Sequence, residues 1–312
     1  MIRHLLQLIW NQRKQNAWLW AELLLVSVFL WFLVDYLYVM GRTYTAPLGF
    51  DIRHTYSIVI SSLSERSPDY IPKEKRERPD GVHLLTALDR IRAYPGVESA
   101  CLTDGGMPYY MGSRNLVWRI DTLQVPCRYA FVTPEFFDVF RIYDKDGKTA
   151  SLKRAIEDNN SIVISADVET VNPGLSLLGQ KAYRGNVTNE IEETIRGISV
   201  PIRRHEYTKA EPNVYRALRL SRMEEGYYEG MIDAVRLCVR VRPDVDNADF
   251  PARFRKDMAE QLRLGNLYLL DVQPLSYIRD GYIRSIGVEN EVKTRVAVAC
   301  FLLANIFLGI IG

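Results

Sequence analysis

Trp18–Met40, WLWAELLLVSVFLWFLVDYLYVM, decides how the rest of the chain is read. As an α-helix at about 1.5 Å per residue it reaches roughly 35 Å, enough to cross a hydrocarbon core of about 30 Å. Leu23 to Val34 carries no charge, and Glu22 and Asp35 bracket that stretch. Trp18 and Trp20 at one end, with Tyr36 and Tyr38 at the other, have the placement of an interfacial aromatic belt. A cleaved signal peptide has a shorter apolar core and small residues at its cleavage site. Here the nearest small-residue site, Tyr44-Thr45-Ala46, runs into Pro47. The segment therefore reads as a retained anchor, a transmembrane helix over 18–40.

The flanks orient it. Residues 1–17 hold Arg3, Arg13 and Lys14 and no acid. Basic flanks stay in the cytoplasm, which places the N-terminus inside and residue 41 onward outside. Ile2, Leu5, Leu6, Ile9 and Trp10 recur at helical steps, so 1–17 reads as a cytoplasmic amphipathic segment on the inner leaflet, with a polar tail as the alternative.

At the other end Val296–Gly312, VAVACFLLANIFLGIIG, is again free of charge. It is shorter than the roughly 20 apolar residues of a complete span. Residues 293–312 are thus expected to be the start of a second transmembrane helix, cut short. Upstream, Leu275, Ile278, Tyr282 and Ile286 keep helical spacing, which predicts a stalk continuous with that helix, weakened at Gly281 and Gly287.

Between the ends the chain has an ordinary globular composition: 47% hydrophobic and 25% charged, with 40 Lys and Arg against 38 Asp and Glu. A net charge of +2 does not point to a nucleic-acid partner. Residues 41–292 alternate strand-like and helix-like runs. Strands are expected at Thr55–Leu63, Val97–Leu102, Ser161–Ser165, Thr194–Ile202 and Asn266–Val272, and a hairpin at Leu116–Ile120 with Gln124–Val132. Helices are expected at Val82–Tyr94, ended by Pro95-Gly96, at Pro134–Phe140 with Thr133 as cap, and from Asp249-Phe250-Pro251 to about Leu264. Ala234–Arg242 alternates Val235, Leu237, Val239 and Val241 with Arg236, Arg240 and Arg242, the pattern of a half-exposed strand. Lys73–Arg78 reads as a solvated charged loop. The fold class predicted is α+β, a mixed α/β domain with βαβ-like units.

Chemistry-bearing motifs are missing from the sequence. It has no GxxxxGK[ST] loop for phosphates, no HExxH, and no GxSxG elbow. His4, His54, His83 and His205 are dispersed. Asp144-Lys145-Asp146-Gly147 has the look of a calcium loop without its closing Glu, and reads as a turn. Asp244, Asp246 and Asp249 read as a loop and helix cap. No catalytic, metal-binding or cofactor-binding residue is assigned, and no cofactor is expected. Cys300 falls in the C-terminal apolar segment. Cys101, Cys127 and Cys238 would face an oxidising space and allow at most one disulfide, with Cys101–Cys127 as the candidate pair.

Several stretches, taken in order, resemble the periplasmic core domain of the MacB/FtsX-like ABC-transporter permeases. Tyr129–Phe140, YAFVTPEFFDVF, is similar to that family's strand followed by a Ser-Pro-x-Tyr-Phe helix. Ile162–Ser165 resembles its Val-Val-Ile-Asn strand, with Ser165-Ala166 in place of Asn-Glu. Leu178-Gly179-Gln180 resembles the Ile-Gly-Lys turn and Ile195-Arg196-Gly197-Ile198 the following strand. Pro212–Tyr215 and Leu237–Pro243, LCVRVRP, come in the expected order. The resemblance implies a periplasmic MacB-like core domain over 41–292 and a permease in the bacterial inner membrane. It further implies a dimer, a separate cytoplasmic ATPase that does the hydrolysis, and contact with a periplasmic adaptor or effector. No catalytic residue carries over. The family continues into further membrane helices, so the chain is expected to be truncated after Gly312.

The alternative is a sensor, with two membrane helices flanking an extracellular ligand-binding domain. Sensors run the first helix straight into the domain, and Gly41, Pro47 and Gly49 are expected to interrupt it here. A membrane-tethered enzyme is a third reading without a motif behind it.

Overall fold

The computed structural model describes Trp10 and residues 17–112, 114–172, 174–185, 190–229 and 231–311. The expected amphipathic segment 1–17, with His4, lies outside the described residues apart from Trp10 and Ala17. The chain divides into two compact units, one containing the two long apolar helices and the other Pro47–Tyr282.

In the first unit α1 is Ala17–Thr45. It is longer than the expected 18–40, because a single Gly41 costs a helix only about 1 kcal/mol and does not stop it. Thr45 Oγ1 donates to the Gly41 carbonyl at 3.0 Å. Pro47 then excludes helical conformation from the residue before it, so of the three expected interruptions Gly41 does not act. Leu24, Trp31 and Phe32 are among its exposed side chains. Trp20–Thr45 is the one helix among the described residues long and apolar enough to cross a membrane. The C-terminal helix, Val288–Ile311 (numbered α9 below), opens with Glu289 and Glu291 and becomes apolar after Arg295. Phe29, Phe32 and Leu33 of α1 share a groove with Val298, Ala299 and Leu302 of that helix, and the Arg295 guanidinium lies 5.5 Å from the Tyr36 ring centroid.

The second unit holds ten strands: β1 (Thr55–Ser62), β2 (Val97–Asp104), β3 (Asn115–Ile120), β4 (Leu123–Val132), β5 (Ser161–Ser165), β6 (Lys181–Arg184), β7 (Ile191–Ser199), β8 (Asn213–Ala217), β9 (Val235–Val241) and β10 (Leu267–Pro274). Their order is β10-β1-β9-β2-β4-β3-β6-β7-β5-β8, and β8 pairs back onto β4. That last pairing closes six strands, β4-β3-β6-β7-β5-β8, into a ring and removes their free edges. The pairs β4–β8 and β5–β7 are parallel. The fold is α+β with parallel β-units, as the alternation of runs implies; the closure of the barrel is what the one-dimensional pattern does not show.

Trp118, Ile120, Ile162, Ile164, Ile195 and Val214 fill the barrel. Glu193 is 2% exposed beside them. It accepts from Arg216 Nε at 2.7 Å and from the Trp118 indole at 3.2 Å, so the buried charge is paired rather than stranded.

The other four strands carry α2 (Asp80–Arg92) and, between β9 and β10, a helix Phe250–Met258. Leu84, Leu88 and Ile91 meet Phe250, Phe254 and Met258 in one core with Ile58, Leu237 and Val239. The helix begun by Phe250-Pro251 ends at Met258, short of the expected Leu264. A third core gathers α3 (Phe136–Val139), α4 (Ala150–Glu157) and Leu275 with Cys101, Val132 and Val163 of the strands. The short helices Asp167–Val171 (α5) and Leu220–Glu224 (α6) complete the set with Phe250–Met258 (α7), Leu275–Ile286 (α8) and Val288–Ile311 (α9).

Several expectations are corrected here. Thr133 does not cap α3: its hydroxyl accepts the Leu102 N–H at 3.1 Å, tying β2 to β4, and Glu135 takes the cap position. The Lys73–Arg78 loop is not wholly solvated. Arg76 is 13% exposed and holds Asp80 at 3.1 Å and Glu229 at 2.7 Å. Gly287, at φ +67°, ends α8 before α9 begins, so no single continuous stalk forms. Cys101 does not face Cys127. It lies opposite Cys238 in the β2–β9 register, all three thiols are free, and Cys127 belongs to the barrel core instead.

The largest correction is Arg240. The alternation of β9 puts it on the face expected to be half-exposed, but it is 0% exposed. Helix α3 and the segment before β1 cover the second face of the strand, so the alternation marks two interiors.

Candidate functional site

The chain comes into the folded domain through Pro47–Arg53 and leaves it through α8. Both segments are fixed by unusual side-chain contacts. Arg240 Nε donates to the Val139 carbonyl, Nη1 to that of Arg53 and Nη2 to that of Asp51, each at 2.7 Å. A guanidinium, with five donors in a rigid planar fork, meets three well-separated backbone acceptors at once. The Asp51 N–H donates to the Phe140 carbonyl at 2.8 Å, and the Arg203 N–H to the Leu48 carbonyl at 3.0 Å. Gly49 sits at φ +85°, with Pro201 O only 2.2 Å from where a Cβ would stand. The incoming segment is thus stitched to α3, β9 and the loop after β7.

The outgoing helix is held by charge. Arg279 Nε donates to Glu206 Oε1 at 2.6 Å, and the Tyr109 hydroxyl donates to the same oxygen at 2.9 Å. Glu206 lies in the Ile202–Glu211 loop, which closes on itself: the Glu211 N–H donates to Ile202 O at 3.0 Å and buried Arg203 donates to Thr208 O at 2.7 Å. Burial works to raise the Glu206 carboxyl, but the hydrogen bonds from Arg279, its own backbone and Tyr109 outweigh it and hold the group below the usual carboxylate range. Burial, then the Glu206 charge, pushes the Tyr109 phenol well up, and it stays a donor. Burial lowers the His205 imidazole, with Glu206 opposing.

Tyr109 joins the two segments. Its ring meets Phe50 of the incoming segment edge-on at 5.8 Å between centroids and Tyr282 of the outgoing helix at 5.9 Å. Its backbone is at φ +59°, a region that a bulky residue occupies only when its surroundings enforce it. Tyr109, Glu206, Arg279 and Arg240 carry no motif, and sequence reading missed them. The first three converge from the β2–β3 loop, the β7–β8 loop and α8, while Arg240 of β9 holds the incoming segment separately, so only the fold gives each its role.

The residues singled out in the sequence do not converge. His54 Nδ1 lies 2.5 Å from Asp246, which also accepts from the Tyr56 hydroxyl. His83 packs against Gly265, and His205 against the Tyr282 ring at 5.8 Å. Asp144 accepts the N–H groups of Asp146 at 2.9 Å and Lys148 at 2.8 Å, satisfying its own turn. Among the described residues no three His, Cys, Asp or Glu side chains are grouped to hold a metal. What the Tyr109 cluster can do is mechanical: it fixes two chain segments to one loop through a shared carboxylate.

No family model and no curated protein matches the chain. Solved structures do. The fold is similar to periplasmic and extracellular domains of membrane transport proteins. One is a domain of a protein from Porphyromonas gingivalis described as a permease, at 18% identity and TM-score 0.46, covering 73% of this chain and 92% of that one. Another is the periplasmic region of MacB from Actinobacillus actinomycetemcomitans, at 9% identity and TM-score 0.41, covering 78% and 97%. The extracellular domain of the noncanonic ABC-type transporter YknZ from Gram-positive bacteria matches at 11% identity and TM-score 0.38, covering 69% and 100%.

Proposed function

We propose that the chain is the transmembrane subunit of a MacB/FtsX-like ABC transporter, a permease that relays the motion of a partner ATPase to its folded domain. The carrying observation is the Tyr109 cluster. A relay needs the segments nearest the membrane helices fixed to the domain that is to move, and Tyr109 meets both, with Arg279 and Glu206 locking the second. The ordered run of sequence resemblances supports the family, and α1 supplies an anchor of sufficient length.

In this reading α1 spans the inner membrane with its basic N-terminal flank in the cytoplasm, and Pro47–Tyr282 faces the periplasm. Two copies assemble around the membrane helices, and a cytoplasmic ABC ATPase drives them apart and together. The folded domain meets a periplasmic adaptor or effector. Coupling of this kind needs two states whose balance both the ATPase and the outer partner bias.

The test is purification of the natural gene product in mild detergent from cells that express it from its own locus. An ABC ATPase subunit retained in stoichiometric amount supports the reading. Recovery of the chain without any ATPase contradicts it.

A further inference from the structure

Basic and acidic residues nearly balance over the chain, yet five arginines line one cavity of about 480 Å³ on the folded domain. That is the size range of small-molecule sites. The fold assembles them from separate places. Arg216 of β8 is in direct register with Phe131 of β4, and its guanidinium lies 4.9 Å from that ring's centroid. Arg114, just before β3, lies over the same ring at 6.0 Å. Arg184 ends β6. Arg219 is the cap residue of α6 and Arg222 lies inside it, with the Arg222 N–H donating to the Arg219 carbonyl at 3.1 Å.

Their charges are unevenly answered. Glu193 pairs with Arg216 at 2.6 Å and Arg184 at 3.3 Å, and Asp104 pairs with Arg114 at 2.9 Å. Among the described residues Arg219 donates to the Asn159 carbonyl at 3.3 Å, and Arg222 lies over the Tyr227 ring at 5.2 Å. Neither is in an ion pair among the described residues. Among the described residues two carboxylates thus pair with three of the five arginines. The walls between them are apolar: Tyr129, Ile191 and Tyr227 all line the cavity, and the last two are largely exposed.

Cations without counter-charges beside exposed rings have a defined complement. Guanidinium groups recognise carboxylate and phosphate oxygens bidentately, and aromatic walls take a flat apolar body. We propose that this cavity binds a small organic anion, its acidic group held by Arg219 and Arg222 and its apolar body laid against Tyr129, Ile191 and Tyr227. The site is separate from the Tyr109 cluster and does not depend on the permease reading.

The test is calorimetric titration of the full chain in nonionic detergent with phenyl phosphate, inorganic phosphate and phenol. Phenyl phosphate is expected to bind saturably, phenol not at all, and inorganic phosphate at least about tenfold more weakly, since it lacks the apolar body. R219Q and R222Q are each expected to weaken phenyl phosphate at least about tenfold, the loss of one charge-assisted contact. Arg222 is exposed and Arg219 half-buried, so both variants keep the fold, which an unchanged urea midpoint verifies. No saturable heat with phenyl phosphate up to about 10 mM, equal binding of phenol, or affinity unchanged in both variants overturns the proposal.

Discussion

Tyr109 and Tyr282 meet with ring centroids 5.9 Å apart and planes at 65°, and this contact joins the β2–β3 loop to the helix that leads out of the folded domain. Phe50 sits against Tyr109 at 5.8 Å, so one side chain touches both the incoming and the outgoing segment. The same phenol shares the Glu206 carboxylate with Arg279. Packing and a charged hydrogen bond act here on one point, which is why its loss has consequences beyond a single contact.

Arg279→Ala leaves the Glu206 carboxylate buried without its cation. Breaking such a pair costs about 3 kcal/mol at partly buried sites. Urea unfolding of the full chain in detergent is expected to show that loss, and the double variant Arg279→Ala with Glu206→Gln to recover part of it. A loss below about 0.5 kcal/mol, as for an exposed pair, contradicts the assigned role.

Arg240→Lys keeps the charge but offers no fork. A compact ammonium cannot reach all three carbonyls, one buried and two partly buried, so some lose their donor and a decrease of about 2–3 kcal/mol is expected. Hydrogen exchange at Asp51, whose N–H is bonded to Phe140 O at 2.8 Å, should rise with it. Protection at Asp51 equal to that of the parent would show that the incoming segment is held by something else.

Gly49→Ala forces a side chain onto a left-handed backbone and against Pro201 O at 2.2 Å. The expected cost is about 1–3 kcal/mol, read as a lowered melting temperature. A gain in stability, the usual effect of replacing a permissive glycine, would mean that the turn is not as described.

Stability should fall with acid in two steps. His205 is held neutral in the fold by burial, among Glu206, Glu211, Arg203 and Arg204 and against the Tyr207 and Tyr282 rings. The unfolded chain takes up that proton near pH 6.5, so stability drops from about pH 6.5 towards the lowered folded value. Glu206 acts further down: its depressed value gives stability that is complete above the ordinary carboxylate range and is lost as pH falls through the folded value. His205→Gln should flatten the profile between about pH 7 and 5, and Glu206→Gln below about pH 4. Unchanged slopes in both variants contradict the assignment.

The sequence showed most of the elements because their signals are local. A long uncharged apolar run needs no partner to be recognised, and β5 and the β3–β4 hairpin follow from β-branched runs and their spacing. The barrel was hidden because its closure depends on β8 returning to β4, a pairing that no local period encodes. Arg240 was misread for a related reason: alternation reports two faces of a strand, and only the neighbours decide whether either faces water. Cys101 pairs in register with Cys238 rather than Cys127 because β9, not β4, lies beside that part of β2. The Tyr109 cluster drew on four distant segments, and nothing in any one of them set it apart.

In the permease reading proposed above, α1 lies in lipid and keeps the folded domain outside the cytoplasm. Trypsin added to intact spheroplasts that express the full chain tests this, because Lys73 and Lys75 lie exposed in one loop of that domain. Cleavage there before lysis, with a cytoplasmic marker protein intact, is the predicted result. A domain that resists until the cells are lysed, and is then cut, contradicts it.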